Sequence, residues 1–248
     1  MSMKRFIKVF ITVSLSIMLI FTVAGCQKDD NVLIMGTNAE FPPFEYVENG
    51  KFVGIDVELA EAIANELGMK LKVENMAFDS LIDALASGKV DFVAAGMTVR
   101  PDREESVDFT IKYYKARQTI IVRADNTNIK SKEDLEGKKI GVQAGTTGQD
   151  IAMEIKDTEV SKYKSGLEAV MDLKNGKIDA VIIDNFPAEK YLEKNPDDIK
   201  LIQGEFEEEE YAMAVKKGNK ELLDKINAAL QKLMEDGTYE KILDKYSN

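Results

Sequence analysis

Two stretches about ninety residues apart repeat one design, and that repetition constrains the fold more than any other feature of the chain. Residues 78–98 run from Phe78 through Gly88, Asp91 and Gly96 to Thr98, and residues 167–185 run from Leu167 through Gly176, Asp179 and Asp184 to Asn185. Each reads as an amphipathic helix, a glycine stop, a Lys-apolar-Asp link and a short apolar strand. The first strand ends in Gly96 and Thr98, the second in Asp184. Open α/β sheets take ligands outside the carboxyl ends of their strands. Two such units predict two α/β lobes that turn polar strand ends into one shared cleft, the layout of a two-domain binding protein.

The amino terminus predicts export. Lys4, Arg5 and Lys8 precede an apolar stretch from Val9 to Ala24, broken only by Thr and Ser, and Val23-Ala24-Gly25-Cys26 closes it. A positive start, an apolar run and small residues at its end make a secretory signal rather than part of the fold. A retained membrane helix is the alternative, because the stretch approaches spanning length, but the small-residue site favours cleavage. Cys26 is the single cysteine, so no intrachain disulfide can form. Its position resembles a bacterial lipobox, which implies a lipidated first mature residue, with palmitate as an expected modification. Residues 1–25 are then signal peptide and 26–31 a polar tether to the fold.

Removing residues 1–25 from 248 leaves 223, and the three positive charges that go with them take the net charge from −11 to −14. So acidic a chain, with no concentrated basic run, does not suit nucleic acid or anionic lipid surfaces. Its length suits two small domains or one large one. The chain has no histidine, which excludes histidine-ligated zinc and any Ser–His or Cys–His nucleophile. No calcium-loop spacing and no glycine-rich nucleotide loop occurs. No cofactor and no metal is expected.

Val32 to Thr37 reads as a buried parallel strand. Two prolines keep residues 38–46 extended, and Asn49-Gly50 marks a hairpin turn. A helix is expected from Gly54 to Leu67, with Asp56 as its N-cap and Gly68 as its stop. Strands follow at 71–74 and 118–122, and Ser131 to Asp134 has the pattern of a capping box. Lys139 to Val142 is a strand whose turn leads into a helix at Thr147. Glu210 to Val215 reads as a returning strand, Lys220 to Asp236 as a long amphipathic helix, and Thr238 to Tyr246 as a last short one. The strand–helix alternation predicts mainly parallel sheets.

Several residues could hold a small charged ligand. Arg103 can fork both oxygens of a carboxylate, which lysine cannot do with that geometry, although position alone favours a surface pair with Asp102, Glu104 or Glu105. Thr98 offers a hydroxyl and an amide. Thr147 stands at a helix start, where free amides favour an anion, or it simply caps that helix. A buried Asp184 needs a cation or an internal donor.

The runs Gly36 to Glu45, Gly54 to Ala60 and Gly96 to Arg103, followed by Gly145-Thr146-Thr147 and Asp179 to Asp184, resemble the polar amino-acid class of bacterial solute-binding proteins. These deliver ligand to ABC importers, and the resemblance covers essentially the whole mature chain. It implies two Rossmann-like lobes, 32–113 with 213–248 and 118–208, joined by a two-strand hinge at 114–117 and 208–212. It also implies that Arg103 and Thr98 take the ligand carboxylate with Thr147, and that Asp184 and the Gly96 carbonyl take the ammonium. Phe41 and Phe78 flank the side chain, and Asn38 and Gln143 vary with ligand identity. Glutamine-specific members carry an aspartate and a lysine at those last two positions, whereas this chain has neutral amides.

Glu40, in the loop after Asn38, either faces the cleft and pairs with a cationic side chain or points to solvent. The expected ligand is a basic amino acid first and glutamine second, with glutamate and aspartate excluded. The expected partners are ABC permease transmembrane subunits and the membrane through the lipid anchor, with the protein itself monomeric. The competing class is an enzyme on the same fold, resembling cyclohexadienyl dehydratases, in which Glu40 serves as general acid. A sensory module is a third class, which the absence of a signalling domain before Asn248 disfavours.

Overall fold

The computed structural model describes residues 31–202, 204 and 206–247. The expected signal peptide, Cys26 and nearly all of the expected tether therefore lie outside the described residues. Among the described residues, no helix is long and apolar enough to cross a membrane, and no cluster of acidic, histidine or cysteine side chains could hold a metal ion.

The fold is α/β, with two lobes of sheet and helix. The first sheet orders its strands β5-β1-β6-β14-β7. β1 (Val32–Thr37) lies between β5 (Lys70–Asn75) and β6 (Phe92–Val93), parallel to both, with Met35 opposite Val73 on one side and Phe92 on the other. β14 (Ala214–Lys216) then pairs antiparallel with both β6 and β7 (Val107–Phe109). A small sheet of β2 (Glu40–Phe41), β3 (Glu45–Glu48) and β4 (Lys51–Val53) stands beside it. Its β3–β4 turn places Asn49 at φ 51° and Gly50 at φ 74°, the left-handed pair that a two-residue hairpin needs.

The second sheet orders β10-β9-β11-β8-β12. β9 (Lys139–Gln143) runs parallel to β10 (Glu159–Tyr163) and β11 (Ala180–Asp184), while β8 (Tyr114–Arg123) runs antiparallel to β11 and β12 (Ile199–Ile202). Both sheets are therefore mixed, against the expectation of mainly parallel pairing. The reversed strands are β8 and β14, each entered as the chain passes between the sheets. The expected single strand at 210–215 accordingly breaks in two. β13 (Glu208–Tyr211) pairs with the first four residues of β8, from Glu208 opposite Arg117 to Tyr211 opposite Tyr114, and β14 joins the other sheet.

The helices follow the apolar periodicity. α1 (Ile55–Glu66) buries Val57, Ala60, Ile63 and Ala64 at three- and four-residue spacing. Gly54 rather than Asp56 is its N-cap. At Gly54, φ is 125° and a Cβ would lie 2.2 Å from the Phe44 carbonyl oxygen, so only glycine lets the two backbones approach. Asp56 then falls within the first turn and is fully buried, where it accepts from the Gly96 amide at 2.8 Å and from the Tyr113 hydroxyl at 2.8 Å. The residue expected to cap a helix instead ties α1 to the end of the first repeated unit. α2 (Leu81–Ala86) and α3 (Pro101–Glu104) belong to the same lobe. The capping-box pattern at 131–134 gives only one 3₁₀ turn, Glu133–Leu135, with Asp134 accepting from the amides of Lys130 and Ser131.

On the second sheet lie α4 (Thr147–Glu154), α5 (Gly166–Lys174) and α6 (Asn185–Lys194). The carboxy-terminal α7 (Lys220–Glu235) and α8 (Thr238–Ser247) return to α1, burying Ile226, Ala229, Leu230, Leu233, Ile242 and Tyr246. These layers leave four strand ends facing one another: β1 at Thr37, β6 before Ala94, β9 at Gln143 and β11 at Asp184.

Candidate ligand-binding site

Between those strand ends lies a cavity lined by both lobes. Nine of the ten residues expected to bind ligand line it: Asn38, Phe41, Phe78, Gly96, Thr98, Arg103, Gln143, Thr147 and Asp184. Glu40 does not. It is exposed on the outer surface, and only its backbone oxygen reaches across, accepting from the Tyr191 hydroxyl at 3.2 Å. Two-residue alternation in β2 accounts for this, because Phe41 turns inward and Glu40 must then turn out.

Arg103, on the short helix α3, is 5 % exposed. Its Nη1 donates to the Thr98 carbonyl at 2.7 Å and its Nη2 to the Gly145 carbonyl at 2.9 Å, and its guanidinium carbon stands 5.4 Å from the centre of the Phe78 ring. No carboxylate comes within ion-pair distance of it among the described residues, so the expected surface pair with Asp102, Glu104 or Glu105 does not form. Arg100 takes Asp102 and Asp150 instead. Burial, followed by the like charge of Arg100, lowers Arg103 to about 10, still cationic at neutral pH. The cavity thus contains a buried positive charge held by neutral carbonyls alone.

Asp184, at the end of β11, is the complementary charge. It is 7 % exposed, and its Oδ1 accepts from Gln118 Nε2 at 3.0 Å. Burial first and the nearby Glu209 second push it up to about 7. The Thr98 hydroxyl donates to Glu209 at 2.7 Å, so β13 touches the site through one of the consecutive glutamates 207–210, a run whose composition reads only as a solvated surface. Thr147 turns out not to be the cap of its helix. Thr146 accepts from the Gln149 amide and donates to the Gln143 carbonyl at 2.8 Å, leaving the buried Thr147 hydroxyl without a partner at the cavity wall.

At the far wall Gln143 Nε2 donates to Asn38 Oδ1 at 2.8 Å and to the Lys164 carbonyl at 3.2 Å, while Asn38 Nδ2 donates to the Met76 carbonyl at 2.9 Å. Phe41 packs on Gly96, whose φ is 51° and where a Cβ would lie 2.8 Å from the Phe41 ring. Glu45, Ala95 and Thr146 complete the lining. Glu45 closes the run Gly36 to Glu45, and its place opposite Phe41 in the β2–β3 ladder is what brings it in.

Bonds across the cleft are numerous: Arg103 to Gly145, Gln143 to Asn38, Arg100 to Asp150 and Tyr191 to Glu40. The two lobes therefore meet around the cavity in a closed arrangement. It presents a buried guanidinium and a buried carboxylate to one cavity, which suits a small molecule with both an anionic and a cationic group.

Known proteins share this design. Residues 33–248 match the family model described as bacterial extracellular solute-binding proteins, family 3. The arginine-binding extracellular protein ArtP of Bacillus subtilis (strain 168) is 39% identical over 231 residues, 90% of this chain and 89% of that protein. An ancestral arginine-binding protein bound to arginine is 46% identical with a TM-score of 0.85, over 88% of this chain and 99% of that one. An ancestral arginine-binding protein bound to glutamine is 47% identical with a TM-score of 0.81, over 87% and 97%. With two lobes closed on a cavity and a match from the first strand to the last residue, the chain belongs to the bacterial extracellular solute-binding proteins of family 3.

Proposed function

We propose that this protein is the extracytoplasmic substrate-binding component of an ABC importer, and that it binds a polar L-amino acid, one with a basic side chain first and glutamine second. One observation carries this: a guanidinium without a carboxylate, Arg103, and a carboxylate without a cation, Asp184, line the same buried cavity. An uncompensated buried charge is costly, and a zwitterion satisfies both at once. Arg103 and the Thr98 amide take the ligand carboxylate with the Thr147 hydroxyl, and Asp184 takes the ammonium. The far wall supports a donor-bearing side chain, because the Nε2 hydrogens of Gln143 are both engaged and its oxygen is left for the ligand. The names of the relatives, arginine-binding with a glutamine complex in one case, agree with that choice.

Closure follows from contacts made only when the lobes meet around ligand, since a ligand favours a state by its differential affinity for it. The ladder of 114–117 with 208–211 supports a hinge there, with lobes of 32–113 plus 213–248 and of 118–208. A dehydratase is disfavoured, because Glu40, the acid proposed for that chemistry, is exposed outside the cavity. The sequence around Cys26 supports a signal peptide at 1–25 and a lipid anchor; loss of palmitate labelling in Cys26→Ala tests it.

Isothermal titration of the mature protein with arginine, lysine, histidine, cystine, glutamine and glutamate tests the ligand. Arginine or lysine should bind most tightly and glutamine more weakly. Tight glutamate binding, or binding of large apolar amino acids alone, would refute the proposal.

A further inference from the structure

Glu45 is the one ionisable group of the cavity that neither end of an amino acid's backbone uses. It opens β3, is fully buried and lines the cavity, and neither of its carboxyl oxygens has a hydrogen-bond donor from the protein. The titratable groups around it are all acidic or phenolic: Asp56 from α1, Asp184 from β11, Tyr113 just before β8 and Tyr191 from α6. Asp56 is already satisfied by the Gly96 amide and the Tyr113 hydroxyl, and the cation of the cavity, Arg103, is engaged by two carbonyls. A carboxyl so placed must either keep its proton or meet a cation from outside the protein.

We propose that Glu45 is a specificity-determining residue: its carboxyl is the counter-charge for the cationic side chain of the ligand, and it gives up a proton to solvent as that side chain enters. This rests on the amino-acid reading of the site and adds to it a residue and a proton. Burial first, then the negative charges of Asp56 and Asp184, raise Glu45 well above the usual carboxylate range, which favours the protonated carboxyl until a cation arrives. Charge is balanced: one positive side chain enters, one proton leaves, and the neutral glutamine side chain displaces none from Glu45.

The test is calorimetry at pH 7 in two buffers of different ionisation enthalpy, which counts protons released on binding, for wild type and Glu45→Gln with arginine, lysine and glutamine. Wild type should release more protons with arginine than with glutamine, because Asp184 contributes equally to both. In Glu45→Gln that difference should vanish, and arginine and lysine affinity should fall at least tens-fold further than glutamine affinity, as for a buried charge pair losing one partner. Equal loss for all three ligands would place Glu45 at the ammonium and overturn the proposal. Unchanged arginine affinity would reduce the Glu45–Asp56 pair to a structural one. Should the variant fail to fold, the wild-type proton counts decide alone, and equal counts for arginine and glutamine sink the idea. A wild type that binds no amino acid would instead overturn the reading of the whole site.

Discussion

Gln143 spans the cleft to Asn38, and the direction of that hydrogen bond is set from behind. Gln143 Nε2 reaches Asn38 Oδ1 at 2.8 Å and the Lys164 carbonyl at 3.2 Å, and Asn38 Nδ2 reaches the Met76 carbonyl at 2.9 Å. Backbone carbonyls only accept, so they fix which end of each amide carries hydrogen. Gln143 is left with an oxygen to offer, and this wall of the cavity accepts more than it donates. Replacing it by leucine should therefore weaken arginine by about 0.5–1.5 kcal/mol, the net value of a hydrogen bond or two. Alanine, which does not reach this wall, should lose less. Titration of both ligands checks it, and an equal loss would mean that Gln143 acts on closure rather than on the side chain.

The repeated helix–strand unit made the two lobes legible, because burial of a short apolar strand forces its polar end to the sheet edge, as at Thr98 and Asp184. Orientation was not legible where several hydrogen-bonding states were open. Asn38 and Gln143 each carry donor and acceptor, and only the carbonyls of Met76 and Lys164, distant in sequence, choose between them. Glu40 and Glu45 posed the same difficulty in a proline-bound loop with no usable periodicity. The pairing of Phe41 with Glu45 resolves both, turning one out and the other in. Asp56 misled because an acid after Gly54 reads as a cap, and its partners Gly96 and Tyr113 lie 40 and 57 residues away.

Arg103→Ala and Asp184→Ala should each abolish measurable binding of every amino acid the protein accepts. Each removes one charge and leaves the ligand's opposite charge buried without a partner, a cost of about 2–5 kcal/mol. Arg103→Lys should fare little better, since one ammonium cannot hold the Thr98 and Gly145 carbonyls and also fork a carboxylate. Circular dichroism should show all three folded. A variant that binds the best ligand with wild-type affinity would refute the assignment of that residue.

Gly96→Ala should damage the site through Phe41. The added methyl meets a left-handed φ of 51° and would lie 2.8 Å from the ring, so the ring or the strand end must move. Overpacking of this kind costs about 1–3 kcal/mol. A lowered melting temperature together with weaker arginine binding is the expected pair of results. Loss of stability with intact binding would show that Phe41 can yield without disturbing the ligand.

Stability of the ligand-free protein should fall as pH rises from about 4 to 7. Burial first, then Glu209, raises Asp184 to about 7, and burial raises Asp56 to about 6 against the hydrogen bonds from Gly96 and Tyr113. Unfolded aspartates titrate near 3.9, so across this window the native state holds protons that the unfolded state has already lost. Unfolding then releases protons, and its free energy falls with pH, by an amount on the order of a few kcal/mol. Above the folded pKa values both states are ionised and the slope from these groups ends. A ligand ammonium beside Asp184 favours the ionised carboxylate and offsets the loss. The rise in melting temperature caused by saturating arginine should accordingly widen between pH 5 and pH 7.5. Asp184→Asn, which cannot ionise, should lose that widening and show a flatter ligand-free profile. Scanning calorimetry of both proteins across this range decides it, and parallel wild-type and variant profiles would show that Asp184 is not the group that couples pH to the site.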